Sequence, residues 1–139
     1  MNKTLFLIFS SIILCCFSSS AQNITLDEPE LIQVLCKQWK IDFAVVGNMK
    51  IGQKPGADNF DMKFASDGTY RLINDNEKTI NTGKWTYNVK KKYVELSIDE
   101  KVTSRILSIN AKKLVLILVS GKNDPPGLPQ MEVHFKPAQ

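Results

Sequence analysis

The sequence predicts an all-β fold: an antiparallel up-and-down meander barrel of about eight strands, preceded by one short N-terminal helix. Three observations predict it. Apolar and polar residues alternate with period two in segment after segment from Trp39 onward. Short clusters of Asp, Asn, Gly and Lys separate those segments, as hairpin turns require. Large rings also recur in phase, at Trp39, at Phe64 and Tyr70, and at Trp85 and Tyr87. Rings arriving on one face from successive hairpins fit a sheet curled around a central apolar space.

The first 21 residues have their own logic. Lys3 is followed by the apolar runs Leu5 to Phe9 and Ile12 to Leu14, then by Ser18-Ser19-Ser20-Ala21. A positive start, a short apolar stretch and a small-residue exit describe a secretory signal peptide, with cleavage expected after Ala21. Ser10 and Ser11 interrupt the stretch, which is too short for a comfortable membrane span. Leu14 and Cys15 precede the two candidate lipidation cysteines, Cys15 and Cys16, where a lipoprotein peptidase takes small residues, so lipid anchoring is not expected. The expected product is one exported domain, residues 22–139, in the periplasm or outside the cell. It keeps a single cysteine, Cys36, so no internal disulfide is possible and stability must come from the core.

Within that domain, Asp27-Glu28-Pro29-Glu30 reads as a helix start: a capping residue, a first-turn proline and two acids at the positive end of the dipole. Leu31, Ile32, Val34 and Leu35 supply the apolar stripe. The period then becomes two, with Trp39, Ile41, Phe43 and Val45 expected on one face of the first strand. Residues 47–58, containing Gly52, Pro55 and Gly56, read as a loop. Phe60, Met62 and Phe64 alternate with charged residues, Asp67-Gly68 turns the chain, and Tyr70 to Ile73 runs back. After a second turn at Asn74 to Glu77, Thr79 to Val89 forms a strand with Trp85, Tyr87 and Val89 in phase.

Lys90-Lys91-Lys92 reads as a solvated turn, followed by strands at Tyr93 to Ile98 and Val102 to Ile109. Leu114 to Val119 is apolar on both faces, which suggests cover from the N-terminal helix, and that helix is expected either to cap an open end of the barrel or to cover its side. Met131, Val133 and Phe135 mark the last strand, beyond a Gly- and Pro-rich loop.

Charge and chemistry narrow the function classes. The chain carries +4, and loss of the one charge at Lys3 leaves +3. That mild excess, without clustering on one face, is no nucleic-acid footprint. His134 is the sole histidine and alternation sets it opposite Val133 and Phe135, so no nucleophile–base–orienter set is expected. The Asp and Asn groups lack the spacing of a calcium loop. No catalytic residue, metal or cofactor is therefore expected, and the protein is not expected to be an enzyme.

What remains is the interior. Trp39, Phe43, Phe60, Phe64, Tyr70, Trp85 and Tyr87 are the candidate ligand-binding residues if the aromatic face points inward. Two readings stay open. The rings either surround a cavity for a small hydrophobic molecule, or pack together into a filled core whose loops, such as Lys50 to Asn59 and Gly121 to Pro129, engage a protein partner.

Several motifs carry a resemblance: L-x-x-x-W-K at Leu35 to Lys40, F-x-x-D-G-T-Y at Phe64 to Tyr70, G-x-W at Gly83 to Trp85, and F-K-P at Phe135 to Pro137. In this order behind a signal peptide and a short helix, they resemble the bacterial secreted lipocalin-like domains. The resemblance implies an eight-stranded barrel outside the cytoplasm and, by analogy, a binder of small apolar molecules. The chain differs from animal lipocalins in having Lys37 where their first-strand motif has glycine, and in lacking their disulfide.

Overall fold

Asp27 decides where the chain first becomes regular. In the computed structural model, which describes residues 23–52 and 59–139, its Oδ1 accepts from the Glu30 amide at 2.9 Å while Glu30 Oε2 accepts from the Asp27 amide at 3.1 Å. This reciprocal capping box satisfies two donors at the start of helix α1 (Glu28–Leu35). The proposed signal peptide and residues 53–58 of the expected loop lie outside the described residues.

Nine strands follow: β1 (Gln38–Val46), β2 (Met49–Gly52), β3 (Phe60–Phe64), β4 (Thr69–Asn74), β5 (Thr79–Asn88), β6 (Tyr93–Ile98), β7 (Lys101–Ile109), β8 (Leu114–Leu118) and β9 (Met131–Pro137). All neighbouring pairs are antiparallel, and β1 closes onto β9 from Trp39 to Val46. Eight strands, all but β2, therefore form a closed up-and-down barrel, an arrangement that removes exposed sheet edges. The predicted meander is observed.

Two local expectations are corrected. Part of the expected loop is the short strand β2, which pairs with Phe43 to Val46 of β1 where β3 no longer does. The second correction concerns the β1 face. A bulge at Asp42 shifts the register, so that Ile41 pairs with Phe135 but Phe43 pairs with His134. One extra residue reverses the alternation beyond it. Phe43 thus stands outside the barrel on the side of His134, while Trp39 is fully buried within.

The hairpins give the barrel two unlike ends. The β3–β4, β5–β6 and β7–β8 turns lie at the end where α1 enters. There Leu31, Leu35, Ile24, Trp39, Trp85 and Leu114 join one buried cluster. The Ile24 amide donates to Lys92 O at 2.8 Å, and Tyr87 Oη donates to Leu26 O at 2.8 Å, fastening the N-terminal segment across this end. The helix therefore plugs the barrel rather than covering the outer face of β8. On that face Ile117, paired with Arg105 and Glu132, stands apart from the interior cluster. Stems of such long neighbours can shelter an aliphatic side chain from water.

Candidate functional site

The opposite end is not plugged. An apolar cup of about 140 Å³ lies inside the barrel there, walled by Phe60 and Met62 of β3, Leu72 of β4 and Ile98 of β6. Leu116 and Leu118 of β8 and Val133 and Phe135 of β9 complete the apolar lining. Alternation places these residues inward because each strand's polar residues take the outer positions. Met49, Ile51, Ile80, Val102, Leu118 and Leu128 are exposed large apolar side chains. All six belong to strand ends or connections on this open side. Val89 is the counterpart on the plugged side among the described residues.

Three hydroxyl residues also line the cup: Tyr70, Thr103 and Ser104. Consecutive residues of a regular strand would face opposite sides, yet Thr103 and Ser104 both reach it. A bulge in β7 is responsible, since Ser104 pairs with Leu96 and Val102 with Ser97, leaving Thr103 as the extra residue. Thr103 Oγ1 donates to Leu96 O at 3.4 Å. Burial pushes the Tyr70 phenol above its ordinary pKa, and its hydrogen bond with the Thr103 side chain pulls the other way. Ser104 is only 5 % exposed, and its hydroxyl has no intramolecular partner among the described residues. Its Oγ is not sealed off either, because the described residues contain no buried, unpartnered side-chain polar atom. A hydroxyl buried with its residue, unpaired and still accessible opens onto the cup.

The seven aromatic candidates divide by position. Phe60 and Tyr70 line the cup. Trp39, Phe64 and Trp85 are buried and fill the plugged half, with Tyr87 packed against them. The indoles there are already engaged: Trp39 Nε1 donates to Leu35 O at 3.0 Å and Trp85 Nε1 to Ala65 O at 2.9 Å. Phe64 leans against Tyr70 with centroids 5.6 Å apart. Phe43 joins none of these; outside the wall it stacks on His134. The rings therefore mostly fill, and the cup is built chiefly by aliphatic residues and hydroxyls.

Sequence reasoning missed Ser104. A signal exists, in that Ser104 is in phase with Ile106 and so holds a core-facing position with a polar side chain. Thr103 had none, because its placement depends on the bulge.

Elsewhere, burial raises the pKa of the Cys36 thiol, with the charge of Asp67 adding to the effect. A raised pKa keeps a thiol protonated and unreactive at neutral pH. Among the described residues no group of three His, Cys, Asp or Glu side chains is arranged to hold a metal ion. No described helix is long and apolar enough to cross a membrane. Compared with known protein families, characterised proteins and solved structures, the chain has no significant match.

Proposed function

We propose that this protein is an exported, lipocalin-like carrier or receptor that holds a small hydrophobic molecule in the cup at the open end of its barrel. The observation that carries the reading is the contrast between the two ends. One half is filled by Trp39, Phe64, Trp85 and the helix, whereas the other keeps an apolar space of about 140 Å³ reachable from a rim of exposed apolar residues. A dry apolar cavity of roughly this size is enough to hold a benzene-sized guest. The signal-like residues 1–21 and the lipocalin-like motifs support placing it with the bacterial secreted lipocalin-like domains.

Methyl NMR during a titration with cyclohexane tests the reading. Shifts should concentrate on Leu72, Leu116 and Val133, and Leu118→Trp, which fills the mouth, should abolish them. Shifts absent or scattered over the surface would end it. N-terminal sequencing of protein recovered outside the cytoplasm checks export, with Gln22 expected first.

A second reading draws on the same rim. Met49, Ile51 and Leu128 are exposed at 67 %, 41 % and 57 %, and apolar side chains gathered at one end also suit a protein contact. Met49→Lys with Ile51→Lys should then abolish association with a partner while leaving cyclohexane binding intact.

A further inference from the structure

We infer that the ligand presents to the cup a neutral single ring or short chain bearing a single hydroxyl or carbonyl, and that Ser104 on β7 receives that group. The inference rests on the cup being the ligand site and adds the chemistry of what fits. Three features of the lining determine it.

The first is size. At about 140 Å³ the cup matches one ring, so the part of a ligand that it buries is a single ring or a short chain. The second is charge. None of its lining residues is ionisable at neutral pH, and Arg105, which follows Ser104 in sequence, is engaged with Glu95 at 3.2 Å. A carboxylate or ammonium drawn into such a space would lose its water without gaining a counter-ion, a heavy penalty.

The third feature is the polar group itself. The Thr103 hydroxyl is already engaged, donating to Leu96 O at 3.4 Å, and the Tyr70 phenol lies beside it. The Ser104 hydroxyl is a lining group that is free to pair with a guest, and it lies on an otherwise apolar stretch of the wall between Leu96 and Leu118. Such a group discriminates sharply, because a guest lacking a matching polar atom leaves it unpaired while a matching guest satisfies it. A serine can donate to a carbonyl or hydroxyl oxygen and accept from a hydroxyl, so either neutral group suits it.

Three one-ring probes separate the possibilities on the intact protein: toluene, phenol and benzoate, titrated by NMR. Phenol should bind at least fivefold more tightly than toluene, and benzoate at least tenfold more weakly than phenol. Ser104→Ala should cut the phenol-to-toluene preference at least fivefold and, by removing the hydroxyl that toluene leaves unpaired, tighten toluene binding, which also shows that the variant is folded. A preference that survives in Ser104→Ala, or benzoate binding as tightly as phenol, would overturn the inference while the cup remained a ligand site. Failure of all three probes to bind would remove the cup itself, and the inference with it.

Discussion

Phe43 and His134 stack face to face across the β1–β9 seam, with ring centroids 4.3 Å apart and planes 14° from parallel. They meet because the bulge at Asp42 moves Phe43 to the outside, opposite His134 in register. Lys50 lies over the Phe43 ring at 4.0 Å, while His134 Nε2 sits 3.2 Å from Glu132 Oε2. The closing seam of the barrel is therefore clasped from outside by an aromatic pair. A double-mutant cycle of Phe43→Ala and His134→Ala, followed by urea unfolding, should give a coupling of about 0.5–1.5 kcal/mol. Strictly additive losses would mean that the stack contributes nothing to closure.

Gly83 should not tolerate a side chain. A Cβ there would stand 2.5 Å from the Tyr70 ring and from the Ser97 carbonyl oxygen. Tyr70 is buried and backed by Phe64, so it can yield only toward the cup. Gly83→Ala is expected to cost about 1–3 kcal/mol by overpacking and to weaken probe binding in the cup. Unchanged stability in thermal unfolding would contradict this packing.

The β6–β7 turn is strained in a way that can be relieved. Asp99 and Glu100 both take positive φ, 49° and 64°, in a two-residue hairpin loop between the paired residues Ile98 and Lys101. That backbone suits an asparagine followed by a glycine far better than an aspartate followed by a glutamate. Asp99→Asn combined with Glu100→Gly should therefore stabilise the fold by roughly 1 kcal/mol, read as a higher urea midpoint at constant slope. A midpoint that stays put or falls would show that the native turn carries no such strain.

Alkaline pH should loosen the barrel through its phenols. Burial raises the pKa of Tyr70 above its ordinary 10.0, the Thr103 hydrogen bond opposing it. Burial, then the charge of Asp27, does the same at Tyr87. An acid whose folded pKa exceeds its unfolded value contributes stability that is intact below the unfolded pKa. That contribution is lost as pH rises from about 10 through the folded value. Stability measured from pH 8 to 12 should accordingly fall above pH 10, and less steeply in Tyr70→Phe. Equal slopes would show that Tyr70 ionises as freely folded as unfolded.

The barrel was legible in the sequence because alternation and turn chemistry are local. Phe60-Asp61-Met62-Lys63-Phe64 and Asp67-Gly68 announce a strand and its turn without reference to anything distant. Asp27 and Glu30 likewise declare the helix start within four residues. The site was less legible because bulges govern it. Asp42 and Thr103 each interrupt a pairing, and a bulge depends on the partner strand as much as on its own residues. Parity counted along β1 therefore put Phe43 inside, and parity along β7 gave no hint that Thr103 and Ser104 share a face. Whether aromatic rings fill or surround a space was equally hidden. That outcome depends on three-dimensional volume, which here left room among aliphatic side chains rather than between the indoles.

Both ends of the barrel domain depart from the helix-plugged pole. The Ile24 amide is held by Lys92 there, and the Ala138 amide donates to Gln38 O at 3.0 Å beside the start of β1. A surface tether or purification handle joined beside Ile24 or Ala138 would consequently leave from the back of the molecule. The mouth would face away from the attachment point, free to meet whatever diffuses toward it.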